Sequence, residues 1–280
     1  MCILFLHVNT SPESNEYRLV VATNRDEYYK RPAKSAYHCP QTDVISGRDM
    51  EPGREGGTWL GFGSKPVQEN GKPPKHCFAC LTNISGTKID HAMGRGELVI
   101  NYLESELDFP QYIEDLDKQS KVFNGYNLIG VELSKDGSAK TFHNSNFPRI
   151  DSVYTGTHTL AFGNTSISSP LIKVLKGKDK FEDILDKKLD QSTLQEELLQ
   201  LLKDETKYFP DRQLIKRDPT IAEHLSQIYV KFPEAGYGTR THTIILIDRD
   251  WNLEFLEHTM EEPINVENPK WKVTSIKSRL

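Results

Sequence analysis

The chain has 280 residues, a net charge of -5 and four cysteines, and these values exclude several classes of protein. A chain of this length buries a core large enough to fold without disulfide or zinc crosslinks. Hydrophobic residues make up 36% and charged residues 27% of the sequence, which is typical of a globular rather than a disordered protein. The acidic balance argues against a nucleic-acid-binding surface, which needs a basic excess.

The sequence predicts a cytoplasmic protein without a transmembrane segment. The first residues have no basic stretch before a short apolar run, and no segment reaches the roughly 18 apolar residues that span a bilayer. The low number of cysteines is typical of a reducing compartment. Ser278, Arg279 and Leu280 differ from the peroxisomal Ser-Lys-Leu address only by Arg for Lys, which adds a weak peroxisomal signal.

Nine short segments that are rich in apolar and β-branched residues predict β-strands. They cover residues 2–9, 19–24, 59–63, 76–83, 126–133, 139–143, 159–163, 241–248 and 253–257. Turn-forming residues at 9–16, 135–137 and 248–252 predict hairpins, and hairpins produce antiparallel sheets. Residues 64–75, which include Gly71, Pro73 and Pro74, predict a mobile loop.

Helical periodicity covers residues 96–119, with a break at Pro110, and residues 170–226. Ser192 and Gln195 predict a capping box at the start of a helix in the second block. The order of strands and helices favours a single α+β domain over residues 1–280, with a C-terminal extension at about 261–280.

Cys2 is the first candidate for chemistry. A small side chain at position 2 permits removal of Met1, which would leave Cys2 with a free α-amine. That amine has an ordinary pKa of about 7.7–8.0 and suits a base, while the thiol suits a nucleophile. The alternative interpretation is a buried structural cysteine on the first strand.

Asn24-Arg25-Asp26-Glu27 ends the predicted strand that pairs with the strand of Cys2, so its charges are expected near that residue. A cation there would favour the thiolate, and a carboxylate would hold the α-amine. The alternative is an exposed turn that contains ion pairs.

Seven short motifs follow one another from the start of the chain to about residue 240: Met1-Cys2, Asn24-Arg25-Asp26-Glu27, Gly47-Arg48-Asp49, Gly56-Gly57-Thr58-Trp59-Leu60-Gly61, Leu81-Thr82-Asn83, Gly163-Asn164 and Tyr237-Gly238-Thr239-Arg240. This series resembles that of the NRDE family, also called the transport and Golgi organisation protein 2 family, over residues 2 to about 260. The resemblance implies an N-terminal-nucleophile hydrolase fold, a four-layer αββα sandwich with two antiparallel sheets between helical layers.

The resemblance also implies an intracellular binding or trafficking protein for haem or acyl-coenzyme A. Roles in haem mobilisation, lipid homeostasis and Golgi organisation follow from it, together with transient association with organelle membranes of the Golgi or mitochondrion. No cofactor is required, and haem would be a bound cargo. More remotely, the chain is similar to the cysteine amidohydrolases of the choloylglycine and penicillin V acylase group. An amide or thioester hydrolase that uses Cys2 is therefore the alternative function.

The similarity to the amidohydrolases implies a role for each of five residues. Cys2 would be the nucleophile and Asp26 would orient the α-amine. The backbone of Asn83 and the side chain of Asn164 would form the oxyanion hole, and Arg240 would support the site.

The ligand-binding interpretation uses a partly different set of residues. Arg25, Arg48 and Arg240 are predicted to form a cationic rim for propionates, phosphates or carboxylates. Trp59 would supply an aromatic wall, and the set is completed by Asn24, Asp26 and Glu27.

One departure from the amidohydrolases favours binding over catalysis. Those enzymes place an arginine three residues before the aspartate, where this chain has Thr23. Arg25 lies next to Asp26, and adjacent side chains of a strand point to opposite faces, so either the turn bends Arg25 back or the thiol lacks its usual cation.

No metal site is predicted. In a strand, Cys77 and Cys80 face opposite sides, so they would not bind one metal ion or form a disulfide together. The nine histidines lack zinc-ligand spacing, although one of them, or Cys2, would suit an axial ligand of haem.

Overall fold

The computed structural model describes residues 2–65, 74–86, 88–119 and 121–280. The chain divides into two compact units. The first unit consists of Met1–Arg31 and Thr159–Leu280, and the second consists of Pro32–His158. The single domain expected over residues 1–280 stays a prediction.

The described residues form fourteen strands and six helices. The strands are β1 (Cys2–Val8), β2 (Tyr17–Tyr28), β3 (Ala33–Cys39), β4 (Val44–Asp49), β5 (Leu60–Lys65), β6 (Lys75–Asn83), β7 (Tyr126–Ser134), β8 (Ala139–Asn146), β9 (Arg149–Thr155), β10 (His158–Phe162), β11 (Lys231–Phe232), β12 (Tyr237–Asp248), β13 (Asn252–Met260) and β14 (Trp271–Arg279). The helices are α1 (Gly96–Glu104), α2 (Phe109–Lys118), α3 (Ile172–Asp186), α4 (Gln191–Leu202), α5 (Arg212–Arg217) and α6 (Ala222–Leu225).

The first unit is built on a sheet with the strand order β10-β1-β2-β12-β13-β14, and the short β11 pairs with β12. The pairs of β1 with β2, β2 with β12, β12 with β13 and β13 with β14 are antiparallel. One face of the sheet packs on α3 and α4 through a buried apolar core: Ile3, Phe5, Val20, Ala22, Val174, Phe181, Leu194, Leu198 and Ile244. This packing places the start of β1 and the end of β2 beside the helices.

The close approach of α3 to the sheet depends on Gly177. A Cβ atom at this position would lie 2.4 Å from Cζ of Phe5, whose ring is part of the core. We therefore expect Gly177→Ala to lower the free energy of unfolding by about 2 kcal/mol, although alanine favours the helix. Urea denaturation measures this change. An equal or higher stability of the variant would show that α3 moves away at little cost.

The second unit has an antiparallel sheet with the strand order β3-β4-β5-β6-β7-β8-β9. The buried faces of α1 and α2 share an apolar core with this sheet: Leu98, Tyr102, Phe109, Ile113, Ala79, Leu128 and Phe142. Each unit thus combines an antiparallel sheet with helices, and the predicted α+β class is confirmed.

All nine predicted strands are present, and the three predicted hairpins join β1 to β2, β7 to β8 and β12 to β13. The sequence analysis missed five strands: β3, β4, β9, β11 and β14. The C-terminal extension expected at 261–280 contains β14, which pairs with β13 and includes Ser278 and Arg279. Residues 66–73 of the expected mobile loop lie outside the described residues.

Two helix starts differ from expectation. The predicted capping box is wrong, because Asp190 caps α4 by accepting hydrogen bonds from the backbone of Ser192 and Thr193. Pro110 lies in the first turn of α2 rather than at a break, because an N-terminal position needs no backbone N–H. In the part of the chain that the structure describes, no helix combines the length and apolarity needed to cross a membrane.

Candidate functional site

The pairing of β1 with β2 brings Cys2 opposite Arg25, so the two side chains lie on the same face of the sheet. Asp26 pairs in turn with Thr239 of β12. A β-bulge between Thr239 and Thr241 leaves Arg240 as the extra residue of β12. The hairpin therefore gathers Cys2 and the Asn24–Glu27 segment at one end of the sheet, as the sequence predicted.

The backbone nitrogen of Cys2 donates a hydrogen bond of 2.7 Å to Oδ1 of Asn164. The Asn164 carbonyl therefore holds the nitrogen that would become the α-amine. Its role in an oxyanion hole stays a prediction. Burial and the charge of Asp26 raise the pKa of the Cys2 thiol, whereas a hydrogen bond from the Asp26 backbone and the charge of Arg25 lower it. Arg25 thus supplies a cation to the thiol from the directly opposite position.

The Asp26 carboxyl is only 4% exposed. Its Oδ1 accepts a hydrogen bond of 2.6 Å from Oγ1 of Thr239, and the Thr239 backbone in turn donates to the carbonyl of Val230. Burial raises the pKa of Asp26, while the positive charge of Lys173 and the Thr239 hydroxyl lower it. Asp26 is therefore fixed in place by β12 and lies within the electrostatic reach of α3.

Lys173 is a residue of this site that sequence reasoning missed. It lies on the buried face of α3 with 1% exposure, and its Nζ donates a hydrogen bond of 2.7 Å to the carbonyl of Gln227. Burial lowers the pKa of Lys173, and the charges of Asp26 and Cys2 raise it. Lys173 and Gly177 are four residues apart in α3, so both face the core. This spacing was the sequence signal that could have identified Lys173 as a buried residue.

Asn24 joins three segments of the first unit through its side chain. Nδ2 donates to the carbonyls of Leu202 and Ile228 at 2.8 and 2.9 Å, and Oδ1 lies 2.7 Å from Nδ1 of His242. Because Oδ1 can only accept, Nδ1 of His242 carries the proton. Asn24 is therefore an internal crosslink, and its role in ligand binding stays a prediction.

Arg240 and Glu27 also make contacts within the first unit. The Arg240 guanidinium donates to the carbonyls of Tyr28, at 3.1 Å, and Arg31, and it forms an ion pair of 2.7 Å with Glu262. Glu27 accepts a hydrogen bond from the Tyr28 backbone and lies 3.8 Å from Nε of Arg31. These contacts hold the end of β2 against the residues that follow β13.

Arg48, Trp59 and Asn83 belong to the second unit. The Arg48 guanidinium donates to the carbonyl of Gly56 at 3.1 Å and lies 3.4 Å from a Glu104 carboxylate oxygen. Trp59 covers Gly47, where a Cβ atom would meet the indole ring at 2.7 Å. Asn83 ends β6 opposite Tyr126. The contribution of these three residues to a ligand site stays a prediction.

The three arginines of the predicted rim are largely buried. Arg25 is 6%, Arg48 7% and Arg240 1% exposed. A rim that receives carboxylates or phosphates from solution needs accessible guanidinium groups. The cationic rim stays a prediction.

Cys39, Cys77 and Cys80 belong to the second unit. Cys77 and Cys80 are both buried on β6, and burial raises the pKa of Cys77 to about 11. Within the described ranges, no group of three or more His, Cys, Asp or Glu side chains is arranged to hold a metal ion.

Two solved structures resemble the chain over most of its length at low identity. Penicillin V acylase from Agrobacterium tumefaciens shares 10% identity with a TM-score of 0.42, over 97% of this chain and 90% of the other. A variant of conjugated bile acid hydrolase from Clostridium perfringens shares 9% identity with a TM-score of 0.46, over 98% of this chain and 97% of the other.

Sequence comparison gives a much stronger relationship. "Transport and Golgi organization protein 2" of Drosophila melanogaster is 35% identical over 93% of this chain and 92% of its own length. The Homo sapiens homolog of that protein is 34% identical over 93% of both chains. The family model "Transport and Golgi organisation 2" matches residues 1–262. The chain therefore belongs to the Transport and Golgi organisation 2 family.

Proposed function

We propose that the chain acts in transport and Golgi organisation through acyl chemistry at Cys2, by cleaving an amide or thioester bond. Its relatives are named for transport and Golgi organisation, which supports the broader role. The hydrogen bond of 2.7 Å between the Cys2 nitrogen and Asn164 carries the chemical part of the proposal. It orients the nitrogen at the residue whose thiol would react.

The reaction begins after removal of Met1, when the Cys2 nitrogen is an α-amine. The amine takes the proton of the thiol, and the sulfur attacks the acyl carbonyl of the substrate. The bond between the acyl carbon and its leaving group breaks, the leaving group takes the proton, and the acyl group stays on Cys2 as a thioester. Water then hydrolyses this thioester, releasing the acid and restoring the thiol.

The residues around Cys2 interact with the charges that form on its nitrogen and sulfur during this reaction. Asn164 accepts one N–H of the amine, which leaves the nitrogen lone pair available for the thiol proton. The buried carboxyl of Asp26, held by Thr239, and the buried amine of Lys173 balance one another around the reacting residue. The charge of Cys2 raises the pKa of Lys173, so the two attract each other, whereas the charge of Asp26 raises the pKa of the thiol.

A second candidate is binding without turnover. Burial raises the pKa of the Cys2 thiol, which keeps it neutral and less reactive at physiological pH. In this case the same site would hold haem or acyl-coenzyme A as cargo, and haem mobilisation and lipid homeostasis would follow from transport between organelles.

Intact mass spectrometry of the full chain, under native and denaturing conditions, distinguishes the two candidates. After incubation with octanoyl-coenzyme A, hydrolysis predicts a chain without Met1 that carries an octanoyl group, and Cys2→Ala should remove that adduct. Retained Met1 with a non-covalent mass excess would instead favour binding.

Cys39→Ala is the matched control for non-specific acylation. Cys39 is a half-buried cysteine outside the site, and a hydrogen bond from Thr42 lowers the pKa of its thiol. The Cys39 variant should keep the adduct. An adduct that disappears with Cys39 and persists without Cys2 would contradict the acyl chemistry proposed for Cys2.

A further inference from the structure

The surface of the first unit carries an apolar group of side chains at the start of α3, on α5 and just before α5. Its four members are between 36% and 49% exposed: Ile172, Leu175, Phe209 and Ile215. Exposed apolar side chains occur singly on most proteins, but a group of them marks an interaction surface.

Hydrogen bonds hold these segments next to each other. The backbone nitrogen of Ile172 donates to Oδ2 of Asp211 at 2.8 Å, and Asp211 also caps α5. Nε2 of Gln213 donates to the carbonyl of Ser169 at 3.0 Å, just before α3. Phe209 and Ile215 lie on either side of Asp211 in the chain. The four apolar residues therefore lie on segments of the first unit that hydrogen bonds join.

Two basic side chains lie on α5 beside this apolar group. Arg212 and Lys216 are exposed and one helical turn apart, so they project from the same side of the helix. Asp211 is 2% exposed and is engaged as a helix cap, so its charge is largely withdrawn from the surface. At the other end of α5, Asp218 accepts hydrogen bonds from Thr220.

We propose that this α3/α5 surface, formed by the four apolar residues with Arg212 and Lys216, docks on an anionic lipid membrane. Peripheral membrane surfaces combine apolar side chains, which enter the boundary between headgroups and acyl chains, with basic side chains that bind anionic headgroups. The basic charge of α5 is complementary to such lipids, and each basic residue near the membrane strengthens binding. A surface of this size supports reversible rather than permanent attachment.

Docking would bring lipid close to the site around Cys2. The start of α3 presents Leu175 to solvent on one side and Lys173 to Asp26 and Cys2 on the other. Membrane binding itself uses none of the residues of that site, so it stands independently of the proposed function.

Vesicle co-sedimentation of the full chain tests the proposal with two double variants. Leu175→Ser with Ile215→Ser should reduce partitioning onto vesicles of phosphatidylcholine and phosphatidylserine by about tenfold or more. Arg212→Gln with Lys216→Gln should reduce it by about tenfold on those vesicles and leave the weaker binding to phosphatidylcholine alone unchanged. High salt should reduce the partitioning of the wild type onto these vesicles to the same extent as the Arg212/Lys216 double variant does.

Controls address other exposed apolar residues and the candidate site. Phe147→Ser with Val153→Ser removes two apolar side chains of the second unit that are at least as exposed, and it should leave partitioning unchanged. Cys2→Ala should also bind vesicles as the wild type does. Far-UV circular dichroism verifies that each variant is folded.

Two results would overturn the proposal. One is equal partitioning of the wild type and the Leu175/Ile215 variant, or no partitioning of the wild type. The other is a concentration-dependent dimer that the same variant abolishes while vesicle binding persists, because a second copy of the chain would then cover the surface.

Discussion

Replacing Asn24 by alanine is expected to lower the free energy of unfolding by about 4 kcal/mol. The change removes two hydrogen bonds to the carbonyls of Leu202 and Ile228 and a third to His242, all in the buried part of the first unit. Each former partner would be left buried without a replacement, which costs more than the bond itself contributed. Urea denaturation should show a lower midpoint with an unchanged slope.

Thr23→Val is the control for this prediction. Thr23 precedes Asn24 on the same strand and is equally buried, but its hydroxyl makes one hydrogen bond, to the carbonyl of Ile3. Valine keeps the volume, so the variant should lose only about 1 kcal/mol. Similar losses at the two positions would show that Asn24 is an ordinary buried polar residue rather than a crosslink of three segments.

Acidification from pH 7 to pH 5 is expected to destabilise the chain through buried histidines. Burial lowers the pKa of His242 to about 3 and that of His143 to about 4, from an ordinary value of 6.5. Below pH 6.5 the unfolded chain therefore binds protons that the folded chain does not. Stability that is complete above pH 6.5 is lost as the pH falls toward these lower values, by about 2 kcal/mol per histidine at pH 5.

The surroundings of His242 explain why it resists protonation. Its Nδ1 donates to Asn24, and its Nε2 is buried without a hydrogen-bond acceptor in the described part of the chain. The rings of Tyr229 and Trp271 pack on the imidazole, and the charges of Lys203 and His258 oppose a further positive charge. An imidazolium would thus carry an N–H with no partner.

A comparison with His242→Gln isolates this contribution, because the titration of every other group is common to both proteins. The burial of Asp26 raises its pKa and acts in the opposite direction, favouring the folded chain as the pH falls. Between pH 7 and pH 5, the wild type should lose about 2 kcal/mol more than the variant in urea denaturation. Parallel losses would mean that His242 titrates normally.

The sequence predicted the strands whose side chains enter a core and missed most of those at sheet edges. β3 and β9 end the sheet of the second unit, and β14 ends that of the first. These strands are held mainly by backbone hydrogen bonds, and their side chains are largely exposed or only partly buried. Apolar alternation, the main sequence signal of a strand, is therefore weak in them. β4 was also missed, since its six residues include a glycine and two charged side chains.

Only the part of the candidate site that depends on the pairing of neighbouring strands could be predicted from the sequence. A hairpin of β1 and β2 necessarily places Cys2 opposite the end of β2, so the approach of Asn24–Glu27 followed from the turn at 9–16. Lys173 enters from a helix that is far away in sequence, and only the packing of α3 on the sheet brings it to Asp26. The contacts that Arg240 makes within the first unit likewise depend on the bulge in β12 and on Glu262, and neither of these has a sequence signature.

The pairing of β2 with β12 also determines the order in which the chain can fold during its synthesis. The two strands are separated by about 210 residues, which take roughly 10 to 40 seconds to translate. During that time the finished β1–β2 hairpin exposes an apolar strand without its central neighbour, whereas the second unit, continuous from Pro32 to His158, can fold as soon as it emerges. We therefore expect the nascent β1–β2 hairpin, which contains Cys2, to need protection by chaperones on the ribosome.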